Sequence, residues 1–409
     1  MKTSRLWVPA LVAALVLPDA PAADAGPFGV PQLQVAGSSL GSAPVLHDGA
    51  PLPVPFTPDY LVGYVSDVSS HGLITYYDVT SQFASLRGNE ELMARNLEFT
   101  LAANNSATPE LIARAQQDSA ADSEGLLFAF SDALGDELGG AMREALAENR
   151  LPKTEFLLGN GYSARAGGLA SSLVFDKMLH GYPRPFEVAP GSVVRHDLPG
   201  YQFYEAAGES RSFPSGHANQ AVWVSTLLGL MLPELGPQIL ARGADSGYHR
   251  VVMGVHFPLD VVGGRMTGTA AAADRWNDPK MRDALQQAAA ELRAELEWRT
   301  GRPVAELVPA QSAEAAVEQY TGYMTFGLPP VGEAGVPMIV PPAAPDLLLS
   351  HHPGLTYGQR AEVLRQTALR SGHALDHPGP AGSWQRLNLA AAWAAEVSVA
   401  PDGTVSVES

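Results

Sequence analysis

The chain of 409 residues contains no cysteine. Disulfides, thiolate nucleophiles and zinc–thiolate sites are thereby excluded, while export is not, because exported chains can fold without disulfides. Charge is also scarce, with Asp, Glu, Lys and Arg making up 17% of the residues. It leans to one side: 43 acidic residues stand against 26 basic ones, a formal net charge of −17. Such a surface repels nucleic acid and anionic membranes, so neither is an expected partner. Any chemistry on an anion must then gather its cations into one pocket. Long apolar runs are missing from the interior of the sequence. The longest, Ala221 to Leu232, falls short of the roughly 18 residues of a spanning helix, so stable membrane insertion is not expected.

The N-terminus has its own pattern. Lys2 and Arg5 precede an apolar run from Leu6 to Leu17, broken only by Pro9, and Ala20-Pro21-Ala22 follows with the small residues of a cleavage site. This layout predicts a signal peptide over 1–22 and a periplasmic or secreted product. Residues 23–58, rich in Pro, Gly and Ser, read as an extended arm. From about Asp59 the spacing becomes helical, in segments such as Glu90–Asn104, Pro109–Ser119, Ser123–Asn149 and Ala164–Met178. Thr108 and Pro109 suit a helix start. Ala221–Leu232 reads as a central core helix, and further helices are expected over Leu259–Trp276 and Met281–Thr300. The expected fold class is all-α, with a helical core over 59–280. Residues 281–409 form a mostly helical C-terminal extension: helices near Ser312–Met324, Thr356–Ser371 and Trp384–Ala395, then a hairpin around Pro401-Asp402-Gly403.

Three clusters carry the chemistry. Lys177 and Arg184 are separated by a stretch containing Gly181 and Pro183, which can turn Arg184 back toward Lys177. A point charge and a planar fork together fit a tetrahedral oxyanion, although two such residues taken alone are usually solvated surface charges. In Pro214-Ser215-Gly216-His217, Ser215 is a natural N-cap for the apolar helix that follows, and Gly216 lets the backbone approach a ligand. The free N–H groups of that helix start make an anion site, with His217 at its mouth able to pass a proton. The third cluster is Arg250, His256 and Asp260. Asp260, four residues beyond His256, can fix its tautomer and aim the other ring nitrogen outward, or the pair can simply cap a helix.

Taken together, Lys-x6-Arg-Pro, Pro-Ser-Gly-His and Arg-x5-His-x3-Asp resemble the signature of the type 2 phosphatidic acid phosphatase superfamily, which includes bacterial nonspecific acid phosphatases and vanadium haloperoxidases. The resemblance runs from Lys177 to Asp260. It implies the helical bundle of that family and a hydrolase acting on small phosphorylated substrates through a phosphohistidine, without a metal. It further implies His256 as nucleophile, Asp260 as its orienting partner and His217 as acid and then base. Lys177, Arg184, Ser215, Gly216 and Arg250 are implied as the phosphate cradle. One position departs from the pattern: the residue before Arg250 is His249 where the family has serine, and we expect a side role for it. The same pocket would serve a vanadate-dependent haloperoxidase with vanadate as cofactor, a lipid phosphate phosphatase, or a binding module that retains the cradle. The phosphomonoesterase reading expects no cofactor. Oligomeric state, including a homo-oligomer, stays open. Unperturbed imidazoles, with pKa near ~6.5, would put a bell-shaped rate profile in mildly acidic solution.

Overall fold

The computed structural model describes residues 43–60, 68–159, 164–377 and 379–408. The expected signal peptide and the arm up to residue 42 lie outside the described residues. The rest of the arm runs extended along the helices, where Arg150 donates to the Val45 and Pro51 carbonyls and Lys153 to that of Val54.

The architecture is all-α apart from one hairpin among the described residues. Helix α1 (Glu90–Asn105) is capped by Asn89, and α2 (Pro109–Glu124) by the Thr108 hydroxyl, which accepts from Leu111 N at 3.2 Å. Next come α3 (Asp136–Ala147) and α4 (Val174–His180). The central helices are α5 (Gly216–Met231), α6 (Gly236–Val252) and α7 (Pro258–Asn277). Then follow α8 (Pro279–Thr300), α9 (Ala313–Tyr323), α10 (Tyr357–Gln366) and α11 (Leu389–Ala394). Strands β1 (Glu396–Val399) and β2 (Val405–Glu408) pair antiparallel around the expected Pro-Asp-Gly turn.

Three expected helices are interrupted, one of them, Trp384–Ala395, into a 3₁₀ turn at Trp384–Arg386 followed by α11. The segment Ser123–Asn149 is cut at Gly125 and Gly135, whose φ angles of 101° and 86° no helix accommodates. The result is a short helix at Leu126–Phe130, a 3₁₀ turn at Ser131–Leu134 and then α3. Likewise Ala164–Met178 breaks at Leu173, held at φ 57°, and α4 begins after it. Helix α6 is an addition that apolar spacing did not single out.

Every residue of α5 is buried except His217, so this helix is apolar all round and forms the middle of the bundle. It packs against both α6 and α7. Glycines set the separation. A Cβ on Gly264 or Gly268 of α7 would lie 2.5 Å from the carbonyl of Ser215 or of Asn219, respectively. On α6 a Cβ at Gly243 would lie 2.2 Å from Ser225 Oγ. These positions hold the N-terminus of α5 directly against the first turns of α7.

The C-terminal residues share this core and do not fold apart from it. Trp384, Leu389 and Leu347 are buried in the same apolar cluster as α5. The Trp393 ring fills the space beside Gly229 and Gly236, where no side chain would fit. Helix α8 is locked to the core by Glu295, which receives two bonds from Arg150 (2.6 and 2.8 Å) and one from Arg299 at 2.8 Å. A buried pair of this kind adds little net stability, yet removing one partner costs about 3–5 kcal/mol because the other charge is stranded.

Candidate active site

The turn preceding α5 is built first. Ser215 adopts an extended conformation and its hydroxyl accepts from Ala218 N at 3.3 Å, as an N-cap does. Its own N–H donates to the Asp260 carbonyl at 2.9 Å. That bond ties the start of α5 to the start of α7. Gly216 is buried, and His217 is the half-buried residue facing out of the core.

At the head of α7, Pro258 starts the helix and His256 stands just before it. His256 Nδ1 lies 3.1 Å from Asp260 Oδ2, which also accepts from Phe257 N at 2.8 Å and from the Ser212 hydroxyl. On the other side of the ring, Arg184 Nη1 sits 2.7 Å from Nε2. A guanidinium has donors only, so Nε2 must offer its lone pair and the ring proton must sit on Nδ1, toward Asp260. The ring is therefore neutral, with its free electron pair aimed at the cations. Both His256 and Asp260 are essentially fully buried.

Lys177 lies in the last turn of α4, which stops at Gly181 in the left-handed conformation, and its ammonium donates to the carbonyls of Arg211 (2.7 Å) and Ser212 (3.2 Å). The chain then turns through Tyr182 and Pro183 to Arg184, which begins a short helix at Pro185–Val188. Arg184 also donates to the Ser210 carbonyl, the Ser210 hydroxyl and the Val255 carbonyl. Arg250, near the end of α6, is buried and donates to the Ser119 hydroxyl.

The electrostatics show that these groups converge. Burial first, then the charges of Arg184, Lys177, Arg250 and His217, hold the His256 imidazole well below its ordinary pKa. Burial and then Arg184 drive the Lys177 ammonium well below its usual range. Burial pushes Asp260 up to about 6, against the hydrogen bonds from Ser212 and the Phe257 N–H that favour its carboxylate. Three cations crowd one neutral imidazole beside a single carboxylate. A tetrahedral dianion placed among them would relieve that repulsion.

The three clusters read from the sequence thus meet at one end of the bundle. His249 does not join them. Buried, it turns the other way, with Nδ1 2.6 Å from Asp118 Oδ2, and Asp118 is also held by Arg242. Burial acts to raise the Asp118 pKa, but Arg242 and His249 outweigh it and keep the carboxylate well below its usual range. Four residues that sequence reasoning passed over also belong here: Ser210 and Ser212, which hold Arg184 and Asp260, and Asp118 and Ser119, which hold His249 and Arg250. A signal existed for the first two, namely serines clustered just before Pro214. For the other two, about 130 residues away in sequence, there was none. Among the described residues, no group of three or more His, Asp or Glu side chains is arranged to hold a metal ion. None of the described helices is long and apolar enough to cross a membrane.

The helical bundle thus presents buried cations around a neutral His–Asp pair, an arrangement with the charge and donors to fit a tetrahedral oxyanion. Residues 157–282, the segment that holds all three motifs, match the PAP2 superfamily, which supports the resemblance to the type 2 phosphatidic acid phosphatase superfamily. The chain is similar to the non-specific acid phosphatase of Providencia stuartii, at 29% identity over 177 residues, or 43% of this chain and 64% of that protein. A non-specific acid phosphatase of Salmonella typhi is 33% identical over 85 residues, 21% of this chain and 32% of the relative. An acid phosphatase of Zymomonas mobilis subsp. mobilis is 32% identical over 88 residues, 22% and 33% of the two chains. The chain therefore spans less than two thirds of the length of these curated relatives.

Proposed function

We propose that this protein is a phosphomonoesterase that hydrolyses small phosphorylated substrates through a phosphohistidine on His256, without a metal. The observation that carries the reading is the orientation of His256: its Nε2 lone pair points at Arg184, with Lys177 and Arg250 acting on the same ring. Phosphoryl transfer asks mainly for positioning and for neutralisation of charge on the equatorial oxygens, which guanidinium and ammonium groups supply. In the first step, Nε2 bonds to phosphorus as the ester P–O bond breaks, and His217 gives its proton to the leaving alkoxide. Asp260 keeps the Nδ1 proton in place and balances the positive charge on the ring. In the second step, His217 takes a proton from water, the resulting hydroxide bonds to phosphorus, and the P–N bond breaks to release phosphate. Ser215 and the Gly216 N–H join the three cations in holding the equatorial oxygens.

The acid phosphatase relatives support the same activity for the matched segment. The N-terminal pattern of Lys2 to Ala22 supports export to the periplasm or medium. The test is a panel of p-nitrophenyl phosphate, nucleotides, sugar phosphates, phytate and phosphatidic acid, assayed on purified protein with and without EDTA. Turnover of small esters that survives chelation is the expected result. Activity abolished by EDTA and restored by a divalent ion contradicts it. Orthovanadate should inhibit; a requirement for orthovanadate in halide oxidation would point to the haloperoxidase chemistry instead.

A further inference from the structure

Two adjacent residues of α2 grip two adjacent residues of α6. Asp118 takes His249 at 2.6 Å, and Ser119 takes Arg250 through its hydroxyl. All four side chains are buried. Asp118 is itself clamped by Arg242, about two turns earlier on α6, at 2.8 Å to Nη1. The Ser119 hydroxyl donates its one proton to the Ala115 carbonyl at 2.7 Å. Its lone pairs are then left to accept, and the Arg250 guanidinium, which can only donate, is the partner they face. The hydroxyl beside this arginine thus comes from a different helix, while the residue preceding it in sequence faces Asp118.

From this geometry we infer that Ser119 is a positioning residue for the phosphate-binding arginine, and that the Asp118–His249 pair fixes the register of the α6 turn that carries it. The inference rests on the phosphatase reading for the role of Arg250. Arg250 meets oxygens whose charge and geometry change on the way to the transition state. Loosening it should therefore weaken transition-state contacts more than ground-state ones, lowering kcat more than it raises KM. Ser119→Ala removes one hydrogen bond to a charged group, worth about ten- to a hundredfold in the equilibrium that holds Arg250 in place. A residue that merely fills space on α2 would affect folding stability and leave this split unchanged.

The experiment compares the full chain with Ser119→Ala, Arg250→Ala, the double variant and His249→Ser. Each is measured for p-nitrophenyl phosphate hydrolysis, for inhibition by orthovanadate and by phosphate, for calorimetric binding of orthovanadate, and for thermal unfolding. Ser119→Ala should lose about ten- to a hundredfold in kcat and in vanadate affinity, with a smaller change for phosphate. Adding Ser119→Ala to Arg250→Ala should change nothing further, because the residue it positions is gone. His249→Ser leaves Asp118 paired with Arg242 and should weaken vanadate binding in the same direction. If Ser119→Ala binds vanadate as tightly as wild type, or if its loss multiplies with that of Arg250→Ala, the inference is overturned. A wild type that binds vanadate without hydrolysing esters overturns the phosphatase reading alone, and the affinity cycle still decides the role of Ser119.

Discussion

Gly264→Ala should separate stability from activity. The glycine lies on α7 against the turn that begins α5, and an added Cβ would sit 2.5 Å from the Ser215 carbonyl, 2.9 Å from the Ala218 Cβ and 3.1 Å from Asn219 N. Ordinary contact begins near 3.4 Å, so the α5 N-terminus must retreat by close to an ångström. Overpacking of this kind costs about 1–3 kcal/mol. Alanine returns about 1 kcal/mol of helix propensity, so the net loss should be at most about 2 kcal/mol and Tm should fall by only several degrees. The retreat moves Ser215, Gly216 and His217 away from His256, and a misplacement near 1 Å can cost about a hundredfold in rate. The assay is kcat and KM on p-nitrophenyl phosphate beside thermal unfolding by circular dichroism. Gly140→Ala on α3, where a Cβ meets nothing within 4 Å, is the control and should be as active as wild type and slightly more stable. If Gly264→Ala keeps full kcat, the glycine contact does not set the site geometry and the reasoning is wrong.

Two further outcomes follow from the charges. Because His256 is held well below its ordinary pKa, it stays neutral into acid solution and does not set the acid limb of kcat/KM; this displaces the mildly acidic limb that an unperturbed imidazole implied. Asp260, pushed up to about 6, is needed as the carboxylate, so kcat/KM should rise as pH increases through about 6 and fall again where His217 loses its proton. A profile flat from pH 7 down to pH 4 would sink that assignment. In kcat/KM, which reports the first step, His217→Ala should be severe on alkyl phosphates, whose leaving group needs a proton, and mild on p-nitrophenyl phosphate, while kcat falls on both because water attack is slowed; equal losses of kcat/KM on both would remove His217 as the acid.

How far the site was legible depended on residue chemistry. Lys177, Arg184, His217, Arg250, His256 and Asp260 stood out because charged and titratable types at tight spacing are rarely idle, and Ser215 because a cap leaves a local trace. The serines and Asp118 were hidden because a buried polar side chain looks, in sequence, like any surface one; only its distant partner reveals it. Helix α6 escaped for the same reason, since Arg242, His249 and Arg250 lie on a face that reads as solvated until Asp118 and Ser119 cover it. The breaks at Gly125 and Gly135 also depend on distant chain. A Cβ at Gly135 would strike the Val308 carbonyl at 2.4 Å, which local spacing cannot foresee. The helices and hairpin of the C-terminal region were legible, but its burial against Gly229 and Gly236 was not.

The central claim is that His256 Nε2 forms the bond to phosphorus, and it is tested most directly by trapping that adduct. The full chain is mixed with labelled substrate for less than one turnover and quenched in base, because acid destroys a phosphoramidate. Wild type should retain a base-stable, acid-labile label that maps to His256, and His256→Ala should retain none. His217→Ala should accumulate more of it from p-nitrophenyl phosphate, because water attack is then slowed while the first step is not. A label of the same acid lability on His256→Ala, or a label that maps elsewhere in the wild type, contradicts the account.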